Sequence, residues 1–319
     1  VFIDHHSHGV TMPAIITHHL FGEDAATRLP EGTIDGQEEL LAFLLGNQGP
    51  DPLWARTLAK RTEVDACHRL ATAMHGEHIV EALMRFRSAV SHLPEDDKRV
   101  GRAFALGLLA HYVLDRSTHP FVFAQQQALC EADPTLKESL DNVHAIIESD
   151  LDSWMLWSQR GLTVADAPTT ANLAHTDRVV RVAGALFSQV AWQVFGIAMG
   201  ADAYEGSIND YQFVYALIDP APSLRTSLIA RLKGVTDEAE HLLSLAHRIV
   251  TDDDCPAANL DCHPWTNPST GEVRDVSFGD LYFEALDAWP SFAEAYTEGD
   301  ETKLADLIAD VNYEGVPLS

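Results

Sequence analysis

Residues 97–116 (DKRVGRAFALGLLAHYVLDR) constrain the chain most. Their apolar residues run nearly all the way round a helical wheel, which predicts a helix buried on every side. Within it His111 and Asp115 stand four apart and so share one helix face. An imidazole and a carboxylate buried without partners would cost several kcal/mol, so each needs one. A metal ion satisfies both at once; a mutual hydrogen bond is the plainer alternative. Pro120 lacks an amide hydrogen and restricts the residue before it, so this helix is expected to end at or before His119. His119 then sits in the turn beyond, within reach of a second ion.

The rest of the chain also reads as helix. Residues 36–45 end in Gly46 and the turn Gly49-Pro50-Asp51-Pro52. Residues 53–92 carry apolar side chains at three-to-four spacing, up to Leu93-Pro94. Asp133-Pro134 is a start signal for a helix over 135–158. A loop at 161–169 separates it from a long helix near 171–199, and helices follow near 207–218, 222–250, 277–296 and 301–311. Residues 251–276 form the longest irregular stretch, and no alternating strand pattern, repeat or low-complexity tract is present. The expectation is an all-α, multi-helix bundle whose N-terminal half holds a multinuclear metal site between helices.

Charge narrows the partners. The 319 residues include 21 Lys and Arg against 48 Asp and Glu, a net charge of −27. Such a surface repels polyphosphates and anionic membranes at long range. Nucleic acid is therefore an unfavoured partner, and membrane contact is peripheral at most. Six Trp and thirteen Phe exclude disorder as the main state. No run of 18 apolar residues predicts a transmembrane helix. The polar, His-rich start is unlike a signal peptide, and four sparse Cys suit a reducing compartment, so the protein is expected in the cytoplasm.

Histidine is the informative residue type. Of sixteen His, twelve precede residue 150. His5, His6 and His8 resemble a tag remnant and are discounted. A second His and carboxylate pair, His144 and Glu148, again stands four apart with apolar residues between, and Asp152 extends that face by one turn. Asp51 is displayed by the Gly49-Pro50 turn. His68, His75 and His78, together with His18 and His19 upstream, supply enough nitrogen ligands for two or three zinc ions. Other metal or phosphohydrolase signatures fit poorly. There is no His-Asp dipeptide, only Glu238 and His241 match a Glu-x2-His motif, and Cys255, Cys262 and His263 are badly spaced for structural zinc.

Taken together, these motifs resemble the zinc-dependent phospholipase C family, whose fold is shared with zinc-dependent single-strand nucleases. His111-x3-Asp115 followed by His119-Pro120 is similar to that family's His-x3-Asp…His signature, and His144-x3-Glu148 to its closing pair. Gly49-Pro50-Asp51 resembles the acidic turn and Met74-His75 the next ligand. Met12-Pro13 through His18-His19-Leu20-Phe21-Gly22 resembles the opening segment. The resemblance implies Asp51, His75, His111 and Asp115 around one zinc, with Asp115 bridging to another. It implies His119, His144 and Glu148 around a second, and His18, with His19 as competitor, for a third. It further implies a metal-binding helical region over 12–160 and a second helical region over 170–319, packed as one unit. Secreted members complete the third site with the mature first residue; here seventeen residues precede His18, and no β-rich lipid-binding domain follows.

The implied activity is a phosphodiesterase, phospholipase C-like, acting on a small phosphodiester or phospholipid headgroup through zinc-activated water. Asp51 would orient or deprotonate that water, besides or instead of binding zinc. A nuclease-like phosphodiesterase and a non-catalytic zinc-binding helical protein are the alternatives.

Overall fold

A computed structural model describes residues 14–221 and 237–318, and among them eleven α-helices dominate. They are α1 (Ile15–Thr27), α2 (Gln37–Gly46), α3 (Arg61–Gly76), α4 (Ile79–Ala89), α5 (Lys98–Ala132) and α6 (Leu140–Arg160). α7 (Asp177–Phe195), α8 (Ala203–Ile218), α9 (Asp237–Ser244), α10 (Phe278–Glu298) and α11 (Glu301–Ile308) follow. The only sheet among the described residues is an antiparallel pair of two-residue strands, β1 (Trp265–Thr266) and β2 (Val273–Arg274), inside the stretch expected to be irregular. His5, His6, His8, Met12 and Pro13 lie outside the described residues, as does the first half of the helix expected over 222–250; its described part ends at Ser244.

Local chemistry accounts for several helix ends. Thr176 accepts a hydrogen bond from the Val179 amide at the start of α7. Ser277 and Asp280 form a reciprocal capping box at the start of α10. Asp133 caps a short 3-10 turn over Pro134–Glu138, which delays α6 to Leu140. The apolar pattern over 53–92 proves to be two helices, α3 and α4, joined at His78 in the left-handed conformation.

α5 forms the centre of the bundle. It is buried from Val100 to Asp115 except at Arg102, as its apolar circumference demands. α2 and α10 pack along it, with α1, α4, α6 and α7 around them. The α2 crossing is close because two glycines meet. A Cβ on Gly107 would lie 2.1 Å from the Phe43 carbonyl oxygen, and one on Gly46 2.2 Å from that of Phe104. None of the described helices is long and apolar enough to cross a membrane.

α5 departs from expectation at its far end. It does not stop at His119 but runs through Pro120 to Ala132. A proline inside a helix costs about 3 kcal/mol or more. Here Thr118, His119, Pro120, Phe121 and Val122 are all buried, and Phe121 packs against Trp265 and Phe278. Burying a Phe or Val side chain contributes about 1.5–3 kcal/mol each, enough to offset the proline.

Candidate metal centre

Because α5 continues through Pro120, His111, Asp115 and His119 stand at i, i+4 and i+8 on one face. His119 is thus one turn beyond Asp115 inside the helix, rather than in a loop past it. Four other elements converge on this face. α1 supplies His18, the 3-10 turn Asp51–Leu53 supplies Asp51, the last turn of α3 supplies His75, and α6 supplies His144 and Glu148. All eight side chains are buried. Gly49 lets the acidic turn come this close, since a Cβ there would lie 2.2 Å from the His111 ring.

Asp115 is the hub. Its Oδ2 lies 3.0 Å from His111 Nε2 and 3.8 Å from His75 Nε2. Its Oδ1 lies 3.0 Å from His18 Nε2 and 3.9 Å from His119 Nδ1. Each carboxylate oxygen therefore faces a different set of imidazoles. Asp51 Oδ1 completes the first set, 3.1 Å from His75 Nε2 and 3.7 Å from His111 Nε2. In the neighbouring set Glu148 Oε1 lies 3.2 Å from His144 Nε2 and 3.5 Å from His119 Nε2.

Backbone carbonyls orient the rings. His75 Nδ1 donates to Ala71 O at 2.8 Å, His111 Nδ1 to Asn47 O at 3.1 Å and His119 Nδ1 to Tyr313 O at 3.0 Å. A carbonyl only accepts, so each Nδ1 carries hydrogen and each Nε2 is turned toward the carboxylates. Such anchoring is what metal-binding His residues require.

The electrostatics call for cations. Burial disfavours charge on His18, His75 and His119, yet the adjacent carboxylates prevail. Asp115 raises the pKa of His18, Asp51 raises that of His75, and Asp115 with Glu148 pushes His119 up to about 10. Burial likewise opposes ionisation of the acids. Even so, His111, His119 and His18 hold Asp115 well below the usual carboxylate range, and His144 and His119 bring Glu148 down to about 2. The cluster holds Asp115 and Glu148 ionised and attracts protons or a competing cation.

Four buried atoms in the first set have no hydrogen-bond partner: Asp51 Oδ1, His75 Nε2, His111 Nε2 and Asp115 Oδ2. Orphaned buried polar atoms are costly, and these face one another. Three groups have donor atoms mutually within 4.8 Å: His75, His111 and Asp115; His119, His144 and Glu148; and His18, Asp51 and His111. A donor set of imidazole nitrogens and carboxylate oxygens suits zinc.

The other sequence candidates lie elsewhere. His19 turns from the centre toward Glu23, at 3.7 Å, so His18 and not its neighbour faces Asp115. His68 Nε2 contacts Arg56 O at 3.0 Å, and His78 is exposed beside Glu81. Cys255 and His263 make no shared site, since His263 is exposed and Cys255 points at the Asp150 carbonyl. Asp152 does not extend the His144 face as a partner of those ligands. It accepts from the amides of Ile16 and Thr17 at 2.8 and 2.7 Å, which fixes the first turn of α1 and so His18, and it also contacts His247 Nε2 at 3.1 Å. Sequence reading missed Asn47 and Tyr313, which contact the centre only through the fold, and His247, which pairs with Asp152 behind it.

No curated protein and no solved structure matches the chain significantly. A family model described as zinc-dependent phospholipase C matches residues 17–189. That span includes all eight converging side chains and more than half of the sequence, so the chain belongs to the zinc-dependent phospholipase C family.

Proposed function

We propose that this protein is a zinc-dependent phosphodiesterase that hydrolyses a phospholipid headgroup or a similar small phosphodiester. One observation carries the reading: four partnerless buried atoms, on Asp51, His75, His111 and Asp115, face one another in a family of zinc hydrolases. His75, His111, Asp115 and Asp51 would hold one zinc, His119, His144 and Glu148 a second, and His18 with Asp115 a third. Bound zinc supplies Lewis acidity toward phosphate oxygens and a water acidified to a pKa of about 7.

The chain's own residues do the remainder. Asp115 presents one oxygen to each set of imidazoles and so balances positive charge on both sides. Asp51 Oδ1, which accepts no hydrogen bond from the protein, would accept a proton from water entering the centre. Thr17, His18, Asp115, His119 and Glu148 line a narrow cleft. In that cleft the Thr17 hydroxyl is buried without a hydrogen-bond partner. The net charge of −27 favours a zwitterionic headgroup over a polyanion.

Elemental analysis together with hydrolysis of a phosphocholine diester and a nucleotide diester tests the reading. Two or three zinc equivalents and faster turnover of the phosphocholine diester are expected. Bound zinc without turnover of either substrate would leave a non-catalytic zinc protein. Preference for the nucleotide diester would make it nuclease-like.

A further inference from the structure

The chain beyond α11 folds back onto the centre. Ala309 and Asp310 both adopt the left-handed conformation, which reverses the chain after Ile308. Residues 311–317 then form a tight turn. The Asn312 amide donates to Val316 O at 3.0 Å, and Asn312 Oδ1 accepts from the amides of Glu314 and Val316. Tyr112 Oη donates to Val311 O at 2.7 Å, and Arg116 donates to Leu307 O at 2.8 Å, so α5 grips both ends of the reversal.

At the apex, Tyr313 touches three of the candidate ligands. Its carbonyl accepts from His119 Nδ1 at 3.0 Å, and its amide donates to the carbonyl of His75 at 3.2 Å. Its buried ring lies 4.9 Å from the His75 ring and 5.6 Å from that of His111, centroid to centroid. Pro120 prepares the seat. With no amide hydrogen it leaves the Arg116 carbonyl without its usual helical donor. Gly315 approaches that spot so closely that a Cβ would lie 2.3 Å from Pro120 Cγ and 2.8 Å from Arg116 O. Gly315 also has a φ of +71°, which glycine adopts at little cost.

Resting on the metal reading of the centre, we propose that residues 311–315 are a positioning strap for it, with Tyr313 fixing the rings of His75, His111 and His119 from outside the family-matched region. The strap sets which nitrogen of His119 faces the centre and holds the His75 ring against Asp51. Removing such outer support from a metal ligand costs about 10- to 100-fold in metal affinity. Binding is reciprocal, so zinc must in turn stabilise the strap.

Zinc affinity is measured by chelator competition on the full chain, and cobalt(II) substitution reports ligand geometry by its visible spectrum. Tyr313→Ala should weaken zinc binding at least tenfold and alter the cobalt spectrum. Tyr313→Phe, which keeps the ring against His75 and His111, should restore both. Gly315→Val should act like Tyr313→Ala by lifting the strap from Pro120. Hydrogen exchange on the unaltered protein covers the case in which a variant fails to fold: zinc should slow exchange of the Tyr313 and Val316 amides at least tenfold. Zinc bound by the wild type but no change in those amides, or Tyr313→Ala and Gly315→Val both binding within twofold with unchanged cobalt spectra, overturns the strap alone. A wild type that binds no zinc overturns the metal reading with it.

Discussion

Zinc and protons should compete for the same buried cluster. With the centre metal-free, Asp115 and Glu148 push His119 up to about 10, against an ordinary value near 6.5. At pH 7 the ring then holds a proton on Nε2, the nitrogen that faces Glu148. A zinc ion using that nitrogen must displace the proton, three pH units below its pKa. That costs about 4 kcal/mol, or roughly a thousandfold in apparent affinity at pH 7. Filling the site at His119 should therefore release at least one proton, and, against burial, Asp115 and Asp51 shift His18 and His75 upward in the same sense. Apparent zinc affinity should therefore rise at least tenfold from pH 7 to pH 8. The stability of the metal-free protein should change in the opposite sense. A His with a raised folded pKa contributes stability that is full below about 6.5 and lost as pH climbs through about 10. Glu148, held down to about 2, contributes stability present above its ordinary value near 4.5 and lost as pH falls through about 2. Chelator competition at pH 7 and 8, and calorimetry in two buffers of different ionisation enthalpy, measure the affinity slope and the proton count. An affinity equal at both pH values, with less than half a proton released, would refute the coupling of His119 to these carboxylates.

Other substitutions sort the remaining roles. Asp115→Asn keeps the shape but loses the charge shared between the two sets, and should lower zinc content and phosphodiester turnover together. Asp51→Asn should retain most zinc while turnover falls by roughly 100-fold or more, the scale of a lost general base; equal zinc loss in both variants would make Asp51 an ordinary ligand. His19→Ala should keep the zinc stoichiometry that His18→Ala reduces, because only His18 faces Asp115. Gly107→Val should destabilise the fold by about 3 kcal/mol or more in urea titrations, since its Cβ has no room beside the Phe43 carbonyl. Asp152→Ala strips α1 of its acceptor and leaves His247, whose pKa Asp219 and Asp152 push up to about 10 despite burial, with Asp219 as its one carboxylate partner. Its cost should be about 3–5 kcal/mol by the same assay, the scale of a broken buried pair.

Helix periodicity carried much of this protein into view without coordinates. A spacing of four within an apolar segment places His111 with Asp115, and His144 with Glu148, on single faces whatever surrounds them. Burial of α5 follows from its apolar circumference for the same reason. What local spacing does not encode is how far a helix survives an unfavourable residue. Pro120 disfavours helix on its own account, and only the burial of His119, Phe121 and Val122 against the rest of the bundle carries α5 onward and brings His119 into line with Asp115. Adjacent residues such as His18 and His19 point about 100° apart on a helix, and the packing of α1 against α5 and α6 decides which one faces inward. Asp152 shows the same limit. Its helical position suggested support for Glu148, whereas its partners are the amides of α1, more than 130 residues away in sequence. Tyr313 lies 194 residues from His119 and contacts it through a backbone carbonyl, a group that every residue type carries alike. Periodicity thus determined the two His and carboxylate pairs and the faces that display them, and the family resemblance supplied Asp51, His75 and His18 as further donors. Their convergence, the choice of His18, and the closing of the centre by the C-terminal turn were decided by contacts between distant segments, which depend on the complete packing of the chain.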